Sequence, residues 1–426
     1  MECSKSNMSF DFIKHVLVVV FARGLGAISM FLLNFVVAYT MPLKEAGVFF
    51  FSLTILMVLA PISLLGLQQT AVKIVGASFE QNDWSKINSF FKLSIKYSLM
   101  CLLGLSAAIL LLFEPLISHL FVKEFTKLHL FFLLPIVTVF GITILIAHHF
   151  QGIKLPLYAV FLSSICVQFV ASILIFSFGV DSALEGLYCL FVSSLLSFVL
   201  ALYLWISKSQ SHGGSGENLT TKYIFESATP LWVVVAMNLS VQWGSQLVAG
   251  IFISPEDLAL LSVAQRIANL VSFVLIALNL VVSPKFSALN VEKKYSDLTS
   301  LMYKSSLFLI VITTPVIVFI AIYPELLLGV FGNEFIQAGN ILIILSVGQF
   351  ASVIVGPTNM FLAMTGNEKK LRNITVLSGS VSIIFSFVFI YSFGVVGAAF
   401  ATLSALLIQS ILSFVYVQKY LRSLTV

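Results

Sequence analysis

Long apolar runs cover nearly the whole chain, interrupted at short intervals by charged residues or by glycine and proline. Cut at those breaks, the pattern predicts twelve helices near 15–40, 47–72, 89–113, 128–150, 156–178, 184–206, 228–252, 258–283, 301–323, 336–364, 373–393 and 395–417. Each run reaches the roughly 20 residues that a helix needs to cross a hydrocarbon core. The last two runs are separated only by Phe393-Gly394-Val395. Merged, they would make a helix about twice the length needed to cross, so the pattern is read as two spans.

Composition strengthens this picture. The 426 residues are 59% hydrophobic and 10% charged, with a mean hydropathy of +1.06. A soluble domain is about 25% charged. So few charges cannot cover a wetted globule, which excludes soluble enzymes, nucleic-acid binders and secreted disulfide scaffolds. The expectation is an all-α polytopic membrane protein. The net charge of +5 reflects basic loops on the cytoplasmic side rather than a nucleic-acid partner. Cys3, Cys101, Cys166 and Cys189 are scattered, without metal-ligand spacing. After about ten polar residues, the first apolar stretch is far longer than a signal-peptide core, so it is expected to stay as the first span.

Orientation follows from the basic residues. With the N-terminus in the cytoplasm, 18 of the 23 Lys and Arg residues fall on the inner side. Three (Lys44, Lys123 and Lys127) fall outside, and Arg23 and Arg266 lie within spans. This asymmetry predicts that both termini are cytoplasmic.

The chain also repeats itself once, at an offset of about 210 residues. LISHLFVKEF (116–125) falls on LLLGVFGNEF (326–335), SFGV at 177–180 recurs at 392–395, MPLKEAG (41–47) falls on ISPEDLA (253–259), and Lys73 falls on Lys285. Between the halves lies the Gly/Ser-rich stretch SKSQSHGGSGENLTTK. The predicted organisation is an N-terminal six-helix lobe (1–206), a cytoplasmic linker (207–222) and a C-terminal six-helix lobe (223–426). An even number of spans per half makes the repeat parallel, a known transporter plan.

The strings FGNEFIQAGNILIILSVGQF, Gly356-Pro357 and SFGVVGAAFATLSALL resemble the C-terminal half of polysaccharide (O-antigen) flippases, and MPLKEAGVFFFSLTI resembles their N-terminal half. That family belongs to the multidrug/oligosaccharidyl-lipid/polysaccharide exporter superfamily. The resemblance implies twelve helices in two six-helix lobes around a central cavity. It also implies that undecaprenyl-pyrophosphate-linked oligosaccharide is flipped across the bacterial inner membrane by alternating access. The expected partners are membrane lipid, the lipid-linked oligosaccharide, a polysaccharide polymerase and a chain-length regulator. No cofactor is expected, and an H+ or Na+ coupling ion stays unassigned. His148-His149 reads as an ordinary interfacial pair.

Intramembrane polar residues supply the candidate site. Arg23 and Arg266 have no carboxylate within their own spans, and a guanidinium facing lipid at that depth costs at least a few kcal/mol. Tying helices together through backbone carbonyls is one role for them. Contacting an anion in a wet cavity is the other, and it suits the guanidinium fork. In the resembling family, spans one and eight flank the central path. With Arg23 nearer the inner side and Arg266 nearer the outer, a pyrophosphate could pass from one to the other. Asn238, Gln242 and Gln246 form one stripe on span seven, Asn269 shares a face with Ser262 and Arg266, and Asn34 aligns with Arg23. These amides read as the lining of a sugar-passing lumen, with interhelical hydrogen bonding as the alternative. Lys73 and Lys285 would gather anionic headgroups at the inner mouth. No acid sits at mid-membrane, which weighs against a cation-coupled multidrug exporter of the same fold. The short outer loops, the longest near 114–127, weigh against a polysaccharide polymerase.

Overall fold

The computed structural model describes residues 2–112, 125–209 and 220–425. Among them the chain is helical, without strands. Most of the loop near 114–127 and most of the 207–222 linker lie outside the described residues. Contacts divide the chain into two compact units, Met1–Ala236 and Met237–Val426, with the boundary inside one long helix.

The first unit holds α1 (Glu2–Thr40), α2 (Leu43–Ser63), α3 (Leu67–Glu80), α4 (Trp84–Leu112), α5 (Lys127–Gly152), α6 (Pro156–Val160), α7 (Val167–Phe178), α8 (Ala183–Ser209) and the start of α9 (Thr221–Phe252). α5 is its hub, packing on α2, α3, α4 and α8. Near the C-terminal end of α5, His149 is fully buried among Phe90, Phe91 and Trp205, with ring centroids 5.2–5.5 Å away. His149 is therefore a core residue and not an interfacial one. Its Nδ1 sits 2.9 Å from the Leu145 carbonyl, which only an N–H can satisfy.

The second unit holds the rest of α9, then α10 (Pro255–Val291), α11 (Tyr295–Ile322), α12 (Pro324–Gly329), a 3₁₀ turn (Asn333–Ala338), α13 (Gly339–Ile354), α14 (Thr358–Met364) and α15 (Glu368–Thr425). α13 packs between α10 and α15. Phe286, Leu298, Phe361 and Val417 anchor a buried apolar cluster.

Eleven segments among the described residues are long and apolar enough to cross a membrane. The last of them contains Gly394 at φ 58°, ψ −135°, a non-helical kink between two spans. Twelve spans result, and the protein is a multi-pass membrane protein. The glycines of the repeated SFGV string behave alike, Gly179 at φ 61° and Gly394 at φ 58°. Phe125 and Phe335, which the same repeat aligns, are both buried.

Three predicted spans are interrupted. The expected 47–72 helix ends at Ser63, turns through Leu65 (φ 54°) and Gly66 (φ 77°), and restarts as α3. A side chain on Gly66 would meet the Trp232 amide nitrogen at 2.8 Å and collide with the Ala228 carbonyl. Trp232 Nε1 donates to the Ile62 carbonyl (2.8 Å) and Gln68 Nε2 to the Pro61 carbonyl (3.1 Å), so the acceptors at the end of α2 are used by side chains. The 336–364 span breaks at Gly356 (φ 80°) and Pro357, between α13 and α14. Within 156–178, residues Phe161–Cys166 form a π-helical turn, and Ser197 Oγ of α8 donates to the Leu162 carbonyl at 2.9 Å. Apolar runs conceal such breaks because hydropathy does not register backbone geometry.

Replacing Gly66 by alanine places a Cβ at positive φ against backbone atoms. Left-handed strain alone costs about 1–2 kcal/mol, so Gly66→Ala should lower the thermal midpoint of the purified protein by several degrees. A melting curve superimposable on wild type would refute this account of the turn.

Candidate functional site

Charge placement defines the site. Most described carboxylates sit in loops or near helix starts, and Glu80 ends α3. Glu45, Glu185, Asp297, Glu325 and Glu368 occupy the first turns of α2, α8, α11, α12 and α15, and Glu256 and Asp257 that of α10. Negative charge is favoured there by the helix dipole. Glu45 Oε2 also accepts from the Ala183 amide (2.8 Å), capping α8 from α2. The middle of each described span is left without a carboxylate.

In the first unit, Arg23 is exposed on α1 and within electrostatic reach of His148 on α5. Small residues Ala22, Gly24, Gly26 and Ala27 accompany it. Gly26 packs where α1 crosses the π-helical turn, and a Cβ there would come 3.1 Å from Ser164 Cβ. Asn34 does not share the exposure of Arg23. It is buried, its Nδ2 donates to the Met30 carbonyl in its own helix (2.6 Å), and its Oδ1 has no hydrogen-bond partner among the described residues. Lys73 is exposed on α3 and lines a cleft with Lys86.

In the second unit, the stripe on α9 divides. Asn238 and Gln242 are exposed, whereas Gln246 is buried and donates from Nε2 to Ser262 Oγ on α10. Gln246 thus joins two helices. Two turns further along α10, Asn269 Oδ1 accepts from Gln265 Nε2 (2.9 Å) and from Gln349 Nε2 on α13 (2.8 Å). Arg266 lies between these groups in sequence and is 8% exposed. It stands on the polar side of α10, flanked by Ser262 and Asn269 at helical spacing. Lys285 is exposed near the end of α10, next to the buried Phe286.

Sequence reasoning missed Gln349. Its signal, one amide in the largely apolar stretch ILIILSVGQF, lies within the string that carries the family resemblance. The structure brings Gln246 and Ser262 into one pair and Gln265, Asn269 and Gln349 into one trio, and leaves Asn238, Gln242, Lys73 and Lys285 on exposed surface. Uncharged amides and hydroxyls of this kind exchange hydrogen bonds with sugar hydroxyls, and guanidinium forks match phosphate oxygens.

Comparison with known proteins gives the class. A model of the polysaccharide biosynthesis protein family matches residues 12–290, more than half of the chain, and the protein belongs to that family. A MatE family model matches residues 230–388. A probable low-salt glycan biosynthesis flippase of Haloferax volcanii is 25% identical over 182 residues, a match spanning 42% of this chain and 38% of that protein. The protein has the fold of transporters of the MOP superfamily. A multidrug resistance MATE family transporter in an inward-facing conformation superposes with a TM-score of 0.74 at 14% identity, covering 94% of this chain and 95% of that one. The lipid II flippase MurJ, in an inward closed conformation, gives 0.73 at 16% identity, covering 95% and 87%. A MOP superfamily transporter from Pyrococcus furiosus, described as having a binding pocket of reverse polarity, gives 0.63 at 14% identity, covering 97% and 96%.

The double acceptor at Asn269 Oδ1 makes a graded prediction. Asn269→Leu strands two amide donors, at about 1–3 kcal/mol for each buried unsatisfied group, whereas Gln349→Leu removes one donor and leaves Asn269 bonded to Gln265. Thermal unfolding should show the Asn269 variant clearly less stable than the Gln349 variant. The reverse order would contradict the network.

Proposed function

We propose that the protein is a flippase that moves an undecaprenyl-pyrophosphate-linked oligosaccharide across the bacterial inner membrane by alternating access, with both termini in the cytoplasm. The carrying observation is the sign of the intramembrane charge. Arg23 and Arg266 stand within spans whose described interiors hold no carboxylate. A cationic interior suits a diphosphate and repels a cationic drug. The family membership and the flippase among the relatives support the same reading.

In this scheme the exposed Arg23 meets the diphosphate first, and Arg266 receives it in a conformation that opens its enclosed surroundings. Asn238, Gln242 and the amides around Asn269 offer hydrogen bonds to the passing sugars, and Asn34 uses its unpaired Oδ1 in the same way. Lys73 and Lys285 concentrate anionic headgroups at the inner mouth. The protein works as a transporter rather than as a polymerase, and it hands its cargo to the polymerase and chain-length regulator on the outer side. A multidrug exporter shares the fold, but a cation-coupled exporter needs a membrane-embedded acid to neutralise its cargo.

Arg23→Ala and Arg266→Ala should each abolish surface polysaccharide while leaving normal amounts of protein in the membrane, measured by immunoblot and by glycan staining. A loss of one bidentate charge-assisted contact is worth about 2–3 kcal/mol, or about 30- to 150-fold in flux. Normal polymer from both variants would contradict the anion contacts. Deletion of the gene should leave lipid-linked repeat units on the cytoplasmic face, and accumulation on the outer face would indicate a polymerase instead.

A further inference from the structure

The α2–α3 turn has a second consequence in the first unit. Because Gly66 lets α3 dock on the start of α9, the two helices and the beginning of α4 enclose a cleft of about 350 Å³. It is lined by Lys73, Ser78, Gln81, Lys86, Tyr223 and Glu226, among others. Its volume lies at the lower end of the range of small-molecule sites. Its walls are fixed. Asp83 Oδ1 accepts from the Lys86 amide at 2.9 Å, setting the first turn of α4. Tyr97 of α4 meets Thr221 Oγ1 at 3.2 Å and the Phe225 ring at 5.3 Å, which holds the start of α9.

The charges in this cleft are uncommitted. Of the acids near these lysines in sequence, Glu80 is paired with Lys154, and Asp83 is used as the cap of α4. Neither Lys73 nor Lys86 forms an ion pair with a described carboxylate. Two ammonium groups repel a cation. A simple anion gains nothing from Glu226, which weakens the local positive potential. The combination suits a ligand that carries a phosphate beside several hydroxyls. A carboxylate and an amide accept from or donate to hydroxyls, and the half-exposed Tyr223 ring offers an apolar face to a pyranose.

We propose that this cleft binds a phosphorylated sugar, with the phosphate on Lys73 and Lys86 and the sugar hydroxyls on Glu226, Gln81 and Ser78. That the cleft is where the cargo's headgroup docks before translocation rests on the flippase reading; the binding itself does not. Recognition here precedes Arg23 and selects saccharide-bearing phosphates over the surrounding phospholipid.

The full-length protein in phosphatidylcholine nanodiscs is titrated by calorimetry with glucose 1-phosphate, N-acetylglucosamine 1-phosphate, inorganic phosphate and glucose. At least one sugar phosphate should bind about tenfold more tightly than either phosphate or glucose, the gain of one good charge-assisted contact. Lys86→Ala should lose that binding about tenfold, and Glu226→Gln should remove most of the preference over inorganic phosphate. Equal binding of phosphate and both sugar phosphates, or no binding of either sugar phosphate, would overturn the proposal. So would loss of binding in phosphatidylglycerol nanodiscs, which would make the cleft a general lipid-phosphate site. The two readings fail separately. Binding with normal export from the Arg23 and Arg266 variants sinks the flippase mechanism alone, and absent binding with blocked export sinks the cleft alone.

Discussion

An unpaired charge in hydrocarbon is expensive, by a few kcal/mol even on the mildest insertion scales, and this constraint organises the molecule. Described carboxylates are kept to loops and helix ends, most of them at helix starts where the dipole favours them, and Glu45 also accepts from the amide that starts α8. Two guanidiniums remain inside, one exposed on α1 and one enclosed on α10. The middle of each described span holds no carboxylate, and this gives the intramembrane charge its sign.

The remaining polarity is neutral and mostly self-satisfying. Serine and threonine hydroxyls repeatedly donate to the carbonyl one turn back, as at Ser52, Thr54, Thr143 and Thr313. Gln246 with Ser262, and Gln265 with Asn269 and Gln349, instead cross between residues and helices. Such bonds fix helix register at small net energy. Breaks in the spans obey the same backbone constraint. Where α2 ends, Trp232 and Gln68 take the freed acceptors, and at the π-helical turn Ser197 does.

The twelve spans were legible because membrane thickness imposes a length that apolar runs display directly. The Gly394 kink was legible because a helix of twice the needed length had no physical purpose. The Gly356-Pro357 pair carries a breaker signal in the chain, but the break at Gly66 and the π-helical turn were not legible, because Leu64-Leu65-Gly66 and the FLSSIC segment are as apolar as the helices around them. Among site residues, the identity of the intramembrane charges could be read from the chain. Which amides bond to each other could not: helical spacing groups Asn238, Gln242 and Gln246, but only packing exposes the first two and buries the third. Gln349 and the cleft at Lys86 needed elements far apart in sequence to come together.

The central claim is that a cationic, acid-free interior selects an anionic cargo. Transport by the reconstituted protein in sealed proteoliposomes tests it directly, with a fluorescent isoprenoid diphosphate saccharide and a cationic dye such as ethidium offered in parallel. Translocation of the saccharide lipid, with the dye left where it was added, is the outcome this account predicts. Dye transport without movement of the saccharide lipid would contradict it.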